Sequence, residues 1–160
     1  MNDRTRFTSL PTALSALDAF ERQRDAFAPR WAHAAACVDA MRACDPAGAA
    51  ARFTPDPPQC AMVHVHVRGA PAALERARDA AAGETGIRVF RKLRGPSYYR
   101  DGGEKGGEKG GGGGVEWTAK SAQYFELAFG PANCAIPIED VRRAWASFLA
   151  HLDDERVAEL

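Results

Sequence analysis

Two histidines two positions apart are the residues of this chain that suggest chemistry most directly. His64 and His66 lie in a stretch that alternates between apolar and polar residues, so a β-strand would place both imidazoles on one face. Two imidazoles at this spacing could bind one metal ion, with Glu126 or Cys60 as a possible further ligand. No third ligand follows from the spacing. We therefore interpret the pair as two histidines on a partly solvated sheet face and predict no metal site.

The other reactive residue types do not form a recognisable catalytic pattern. Residues 100–115 are rich in glycine, but a phosphate-binding loop requires a Lys followed by Ser or Thr at the start of a helix. Lys105 and Lys109 lack that context, so this segment is interpreted as a flexible surface loop. Ser97 and Ser121 lack the motif that surrounds a nucleophilic serine. The sequence thus predicts no catalytic residue in this chain.

The elements that must position these residues follow from hydrophobic spacing. Apolar residues recur at helical spacing from Pro11 to Cys44, where Pro29 predicts either two helices or one bent helix. Strict alternation from Cys60 to Val67 predicts the clearest strand. A helix opening at Pro71 should reach about Ala82 and end at the glycines that follow it, Gly83 and Gly86.

The second half of the chain predicts two more strands and a last helix. Residues 87–93 are expected to form a short strand with Ile87, Val89 and Leu93 towards the core. Ala122 to Phe129 alternates again and should pair antiparallel with the strand before it. A helical stripe begins near Pro137, with acidic residues in its first turn, where they favour the positive end of the helix dipole.

Together these elements predict an α+β fold, a small, mainly antiparallel three-stranded sheet covered on one side by helices. Residues 1–52 would form an N-terminal helical segment and residues 53–160 the α+β domain, with the flexible loop at 100–115. One sheet face would be apolar and covered. The other would carry a set of polar residues that we predict to be a pocket-facing or docking surface: His64, His66, Tyr124 and Glu126.

Composition excludes several classes of partner. The chain has 21 basic and 21 acidic residues, so its net charge favours neither nucleic acid nor a membrane surface. Its four cysteines show no disulfide or zinc spacing, which is typical of reduced thiols in the cytosol. No apolar run is long enough to span a bilayer. The sequence therefore predicts a cytoplasmic protein.

From Phe53 onward the chain resembles the C-terminal part of the β-eliminating lyase and threonine aldolase family, which are pyridoxal-phosphate enzymes of the aspartate-aminotransferase fold type. The stretches that carry the resemblance are Pro55–Val67, Gly86–Phe90, Tyr124–Gly130 and Ile136–Val141. The resemblance implies a small C-terminal domain of such an enzyme, in a truncated or split chain whose partner is a large domain that binds pyridoxal phosphate.

The resemblance also implies that this chain binds no cofactor by itself. In the family the Lys that forms the Schiff base belongs to the large domain, and none of the four lysines here stands in a comparable context: Lys92, Lys105, Lys109 and Lys120. The cleavage of β-hydroxy amino acids would then be carried out elsewhere. The alternative is a stand-alone, ferredoxin-like interaction or ligand-binding module whose exposed sheet face mediates homo-oligomerisation.

Overall fold

The computed structural model describes residues 10–98 and 122–158. These residues form four helices and four strands, which follow one another in the order α1 (Leu10–Ala43), β1 (Ala51–Thr54), β2 (Met62–Arg68), α2 (Pro71–Thr85), β3 (Gly95–Pro96), β4 (Ala122–Ala128), α3 (Pro131–Cys134) and α4 (Ile138–Ala158). The α+β class predicted from the sequence is confirmed. No helix in the described ranges combines the length and apolar character needed to cross a membrane.

The four strands form one antiparallel sheet in the order β1-β2-β4-β3. Val65 lies at the centre of the register, opposite Phe53 on β1 and Phe125 on β4. The sheet has one strand more than the three predicted, because β1 was not expected. The strand was not predicted because it is only four residues long and is followed directly by the proline-rich stretch that begins at Pro55.

One face of the sheet forms the core together with the helices. The valines of β2, Val63, Val65 and Val67, are fully buried, as the alternation predicted. Leu74 from α2 and Trp145 from α4 belong to the same buried cluster. Burial of large apolar side chains contributes roughly 1.5–3 kcal/mol each. This core therefore holds the helices on one face of the sheet and leaves the other face uncovered by them.

The first helix is continuous through Pro29, so the option of two separate helices is wrong. A prolyl ring removes one backbone donor from a helix interior, and Pro29 is exposed. The C-terminal half of α1 packs on the core with residues at helical spacing: Ala34, Cys37, Val38 and Met41. The first helix is therefore anchored to the same core as the sheet.

The predicted strand at residues 87–93 is wrong. The paired residues in this region are Gly95 and Pro96, and the preceding segment packs by side chains without joining the ladder. Phe90 is the residue of this segment that is buried in the core, stacked on Phe125 with ring centroids 4.7 Å apart. Because the backbone is not extended and paired, alternation does not decide which side chains turn inward.

The second helix extends past the glycine that was predicted to end it. Gly83 lies inside α2, whereas Gly86 caps its C-terminus with φ of 75° and donates its N–H to the carbonyl of Ala82. Glycine is favoured at this cap because a left-handed backbone strains residues that carry a Cβ. Of the two glycines predicted to end this helix, Gly86 is the one that does so.

Candidate functional site

The residues predicted as a docking surface lie together on the sheet face opposite the helices, which we call the open face. His64 is the direct cross-strand partner of Glu126, and His66 is that of Tyr124. Neighbours in an antiparallel register lie about 4.5–5.5 Å apart. The paired residues of these two strands are 54 or more positions apart in the chain, so the pairing of β2 with β4 brings these four side chains together.

The segment that follows β3 folds across this face. The Ser97 backbone N–H donates to the carbonyl of Ala122 at 2.8 Å, which extends the short ladder and turns Tyr98 over the two histidines. The Tyr98 ring lies edge-on to His66 with centroids 4.7 Å apart and also contacts Tyr124. We call His64, His66, Tyr98 and Tyr124 the His–Tyr cluster.

Hydrogen bonds fix both imidazoles of the cluster. His66 Nδ1 lies 2.8 Å from Ser97 Oγ, and His64 Nδ1 forms a hydrogen bond with the Tyr98 hydroxyl. The rings of His66 and Tyr124 are stacked. The cluster is therefore an ordered arrangement of rings, in which side chains from β2 and β4 are locked against a segment that neither strand contains.

His66 is more deeply buried than the sequence indicated. Its side chain is 0% exposed, although a partly solvated position was expected. Removal from water, with a smaller effect of nearby His64, lowers the pKa of His66 from 6.5 to about 4, because burial disfavours the charged imidazolium. At neutral pH His66 is a neutral ring that can accept or donate one hydrogen bond at each nitrogen.

Charge on the open face is concentrated beside the cluster. Arg94 donates to Glu126 Oε2 at 2.6 Å, and both side chains are partly exposed. Burial, Tyr124 and Glu126 raise the pKa of the Tyr98 hydroxyl, so Tyr98 is protonated and half exposed at neutral pH. The accessible part of the face thus offers a phenol ring, one paired carboxylate and one paired guanidinium, groups suited to binding a polar surface.

The same geometry argues against nucleophilic chemistry at Ser97. Its hydroxyl is next to His66, as in a serine–histidine pair, but Ser97 is 3% exposed. A nucleophile must reach its substrate, and its base must take a proton near the working pH. Because the pKa of His66 is about 4, the pair is better suited to holding the strand segments together.

Sequence reasoning did not assign three residues to this site: Arg94, Ser97 and Tyr98. They belong to a stretch without periodicity, and nothing in their spacing indicates that the chain turns back over β4. Within residues 10–98 and 122–158, no three His, Cys, Asp or Glu side chains form a group that could hold a metal ion. Cys60, considered as a ligand, lies outside the cluster with its Sγ directed to the Met62 carbonyl at 3.2 Å.

The lysines are distributed unevenly with respect to the described residues. Lys92 lies within them and is exposed. The other three lysines, and the glycine-rich segment predicted at 100–115, fall outside the described residues.

Comparison with models of known families, with curated proteins and with solved structures finds no match to this chain.

Proposed function

We propose that this chain is the small domain of a cytoplasmic, pyridoxal-phosphate-dependent lyase resembling threonine aldolase, and that its open face docks on a larger cofactor-binding domain. The observation that carries the proposal is the asymmetry of the sheet. One face is sealed by helices, while the other holds a rigid His–Tyr cluster with Tyr98 51% exposed at its surface. A half-exposed aromatic ring beside paired charges is typical of an interface.

The exposure of Lys92 supports a non-catalytic role for the described domain. A lysine that forms a Schiff base is activated when its amine is desolvated or lies near another cation. Lys92 is solvent-exposed in the segment between α2 and β3. The pyridoxal phosphate of the parent family would then be held by the partner domain, and this chain would contribute a wall of the substrate side.

Two measurements test the proposal. The purified chain mixed with pyridoxal phosphate should give no borohydride-trappable aldimine band and no cleavage of a β-hydroxy amino acid. Mixing it with a separately produced cofactor domain of a threonine aldolase should restore cleavage that neither part shows alone. Turnover or a stoichiometric aldimine with the pure chain would refute the non-catalytic role, and folded parts that fail to complement would refute the docking.

Matched variants locate the docking surface. Glu126→Arg reverses the charge of the open face, and Glu75→Arg makes the same change on the exposed side of α2. We expect the first to weaken complementation at least 10-fold, since like charges against an interface cost several kcal/mol, and the second to leave it unchanged. Equal effects of both variants would contradict docking through the open face.

A stand-alone interaction module is the second candidate. The exposed Tyr98 ring favours it, because an exposed aromatic ring can contact a second copy of the chain without any further domain. In this case two copies of the chain would associate through their open faces. Sedimentation velocity should then show a dimer that Tyr98→Arg converts to monomer and Glu75→Arg does not. A monomer at all concentrations would remove this candidate and leave the docking proposal in place.

A further inference from the structure

A cavity of about 370 Å³ lies on the helix side of the sheet, between β4, α1, α4 and the segment before β3. This volume is within the range of roughly 300–1,000 Å³ that small-molecule pockets occupy. Its wall is mainly apolar and includes Cys37, Met41, Val89, Phe129, Val141 and Trp145. Burial raises the pKa of the Cys37 thiol to about 11, so Cys37 adds no charge to this wall at neutral pH.

Trp145 lines the cavity and carries a polar group whose hydrogen-bonding capacity is unused among the described residues. The residue is 0% exposed, and its indole Nε1 has no hydrogen-bond acceptor among the described residues. Leaving a buried donor without an acceptor is destabilising, and buried tryptophans normally find a partner. Trp31 illustrates the usual outcome, because its Nε1–H donates to the Pro58 carbonyl at 2.7 Å. An oxygen atom of a bound molecule would supply Trp145 with the hydrogen-bond acceptor that the Pro58 carbonyl supplies to Trp31.

Exposed basic residues complete the lining. Arg88 and Arg91 both contact the cavity and are exposed to solvent. Arg91 has no acidic partner within 4 Å among the described residues, whereas Glu126, the acid of the lining, is already paired with Arg94. Arg88 already lies 3.9 Å from Asp79 Oδ1, so Arg91 supplies the uncompensated positive charge of the lining, which favours an anion over a cation.

We propose that this cavity binds a small, mainly apolar carboxylic acid, an aryl or short alkyl acid. Its apolar body would occupy the cavity, and one of its oxygens would accept the Trp145 Nε1–H. The Arg91 guanidinium would attract its charge. The cavity lies on the helix side of the sheet and shares Glu126 with the open face, and its binding of a ligand does not rest on the docking function proposed above.

The test uses the full chain with ¹⁵N-labelled tryptophan and 3-phenylpropionate as the probe. Titration should move the Trp145 indole N–H resonance downfield in a saturable manner, with the resonance assigned by its loss in Trp145→Phe. The chain has three tryptophans, and the Trp31 indole resonance, assigned by its loss in Trp31→Phe, is the internal reference and should stay in place. No saturable shift of Trp145 in a chain with a dispersed spectrum, or an equal shift of both indoles, overturns the proposal.

Variants separate the two contacts. Trp145→Phe should weaken binding of 3-phenylpropionate about 5-fold, the value of a typical net hydrogen bond. Arg91→Gln, at an exposed position that tolerates substitution, should weaken 3-phenylpropionate about 3-fold and leave propylbenzene unaffected. Arg143→Gln removes an exposed guanidinium outside the lining and should change neither. Should Trp145→Phe fail to fold, the Arg91 and Arg143 pair decides, and equal affinities in these two variants refute the assignment.

Discussion

Acidification is expected to destabilise this domain through His66 before most carboxylates titrate. The imidazole is fully buried in the His–Tyr cluster, against Ser97 and Tyr98 on one side and Tyr124 on the next strand. His64 on the same strand face is the nearby group that further opposes a positive charge there. Protonating His66 therefore requires either a buried imidazolium or the opening of the cluster.

The sign and size follow from the two pKa values. The pKa of His66 is about 4 in the folded chain and 6.5 when it is unperturbed, so below pH 6.5 the unfolded state binds a proton that the folded state does not. Stability from this group is present above pH 6.5 and is lost as the pH falls towards 4. At about 1.4 kcal/mol per pKa unit, the full loss is about 3 kcal/mol, and most of it falls between pH 7.5 and 4.5.

Urea unfolding between pH 7.5 and 4.5, followed by far-ultraviolet circular dichroism, measures this loss. The variant His66→Gln removes the titrating ring, so its free energy of unfolding should fall by about 2–3 kcal/mol less over this range than that of the unmodified chain. His151→Gln makes the same change near the C-terminus of α4, where the ring contacts Glu84. It retains His66 and should therefore keep the steep dependence.

Parallel pH profiles for the unmodified chain and His66→Gln would refute the reasoning. They would mean that His66 titrates at the same pH in the folded and unfolded chains, and hence that the cluster admits water. A profile flattened by His151→Gln and not by His66→Gln would place the acid sensitivity on α4.

Three further outcomes are expected. In α2, Gly83→Ala should stabilise the chain by about 0.5–1 kcal/mol because helix interiors favour alanine. Gly86→Ala should destabilise it by about 1 kcal/mol because the φ of Gly86 is +75°. Urea unfolding measures both changes, and changes of the same sign would contradict the assignment of Gly86 as the cap. At pH 8 iodoacetamide should modify the exposed Cys60 at least about 100-fold faster than Cys37, whose pKa of about 11 keeps it a buried thiol, and peptide mass mapping checks the order. Phe125→Ala should lower the free energy of unfolding by about 3–5 kcal/mol, since the ring is 0% exposed; a loss below 1 kcal/mol would argue against the central position of β4.

Periodicity predicted the elements that are long and amphipathic. The alternation around Val63 and Val65 identified β2, that around Phe125 identified β4, and the stripe through Trp145 identified α4. Because successive side chains of a strand point to opposite faces, the same alternation placed His64, His66, Tyr124 and Glu126 on one polar face. These features depend on local backbone geometry, and the sequence alone determines them.

Short and irregular elements were decided by tertiary contacts. The two-residue strand β3 and the four-residue strand β1 are too short for a period to be read, and each exists because a longer strand offers it a ladder. Phe90 is buried through packing on Phe125, although the segment around it is not a strand. The positions of β1, β3 and Phe90 depend on contacts between residues far apart in the chain, which a short stretch of sequence does not reveal.

The burial of His66 shows the division most clearly. Alternation alone determined which face the ring is on, because that depends only on the strand to which it belongs. Its depth, its neutral state at pH 7 and its contact with Ser97 depend on a segment 31 residues away that folds back across β4. The cavity beside Trp145 has the same origin, since four separate elements form its wall. The sequence thus determined the faces of this domain, and only the tertiary structure decided which of their groups are sealed from water.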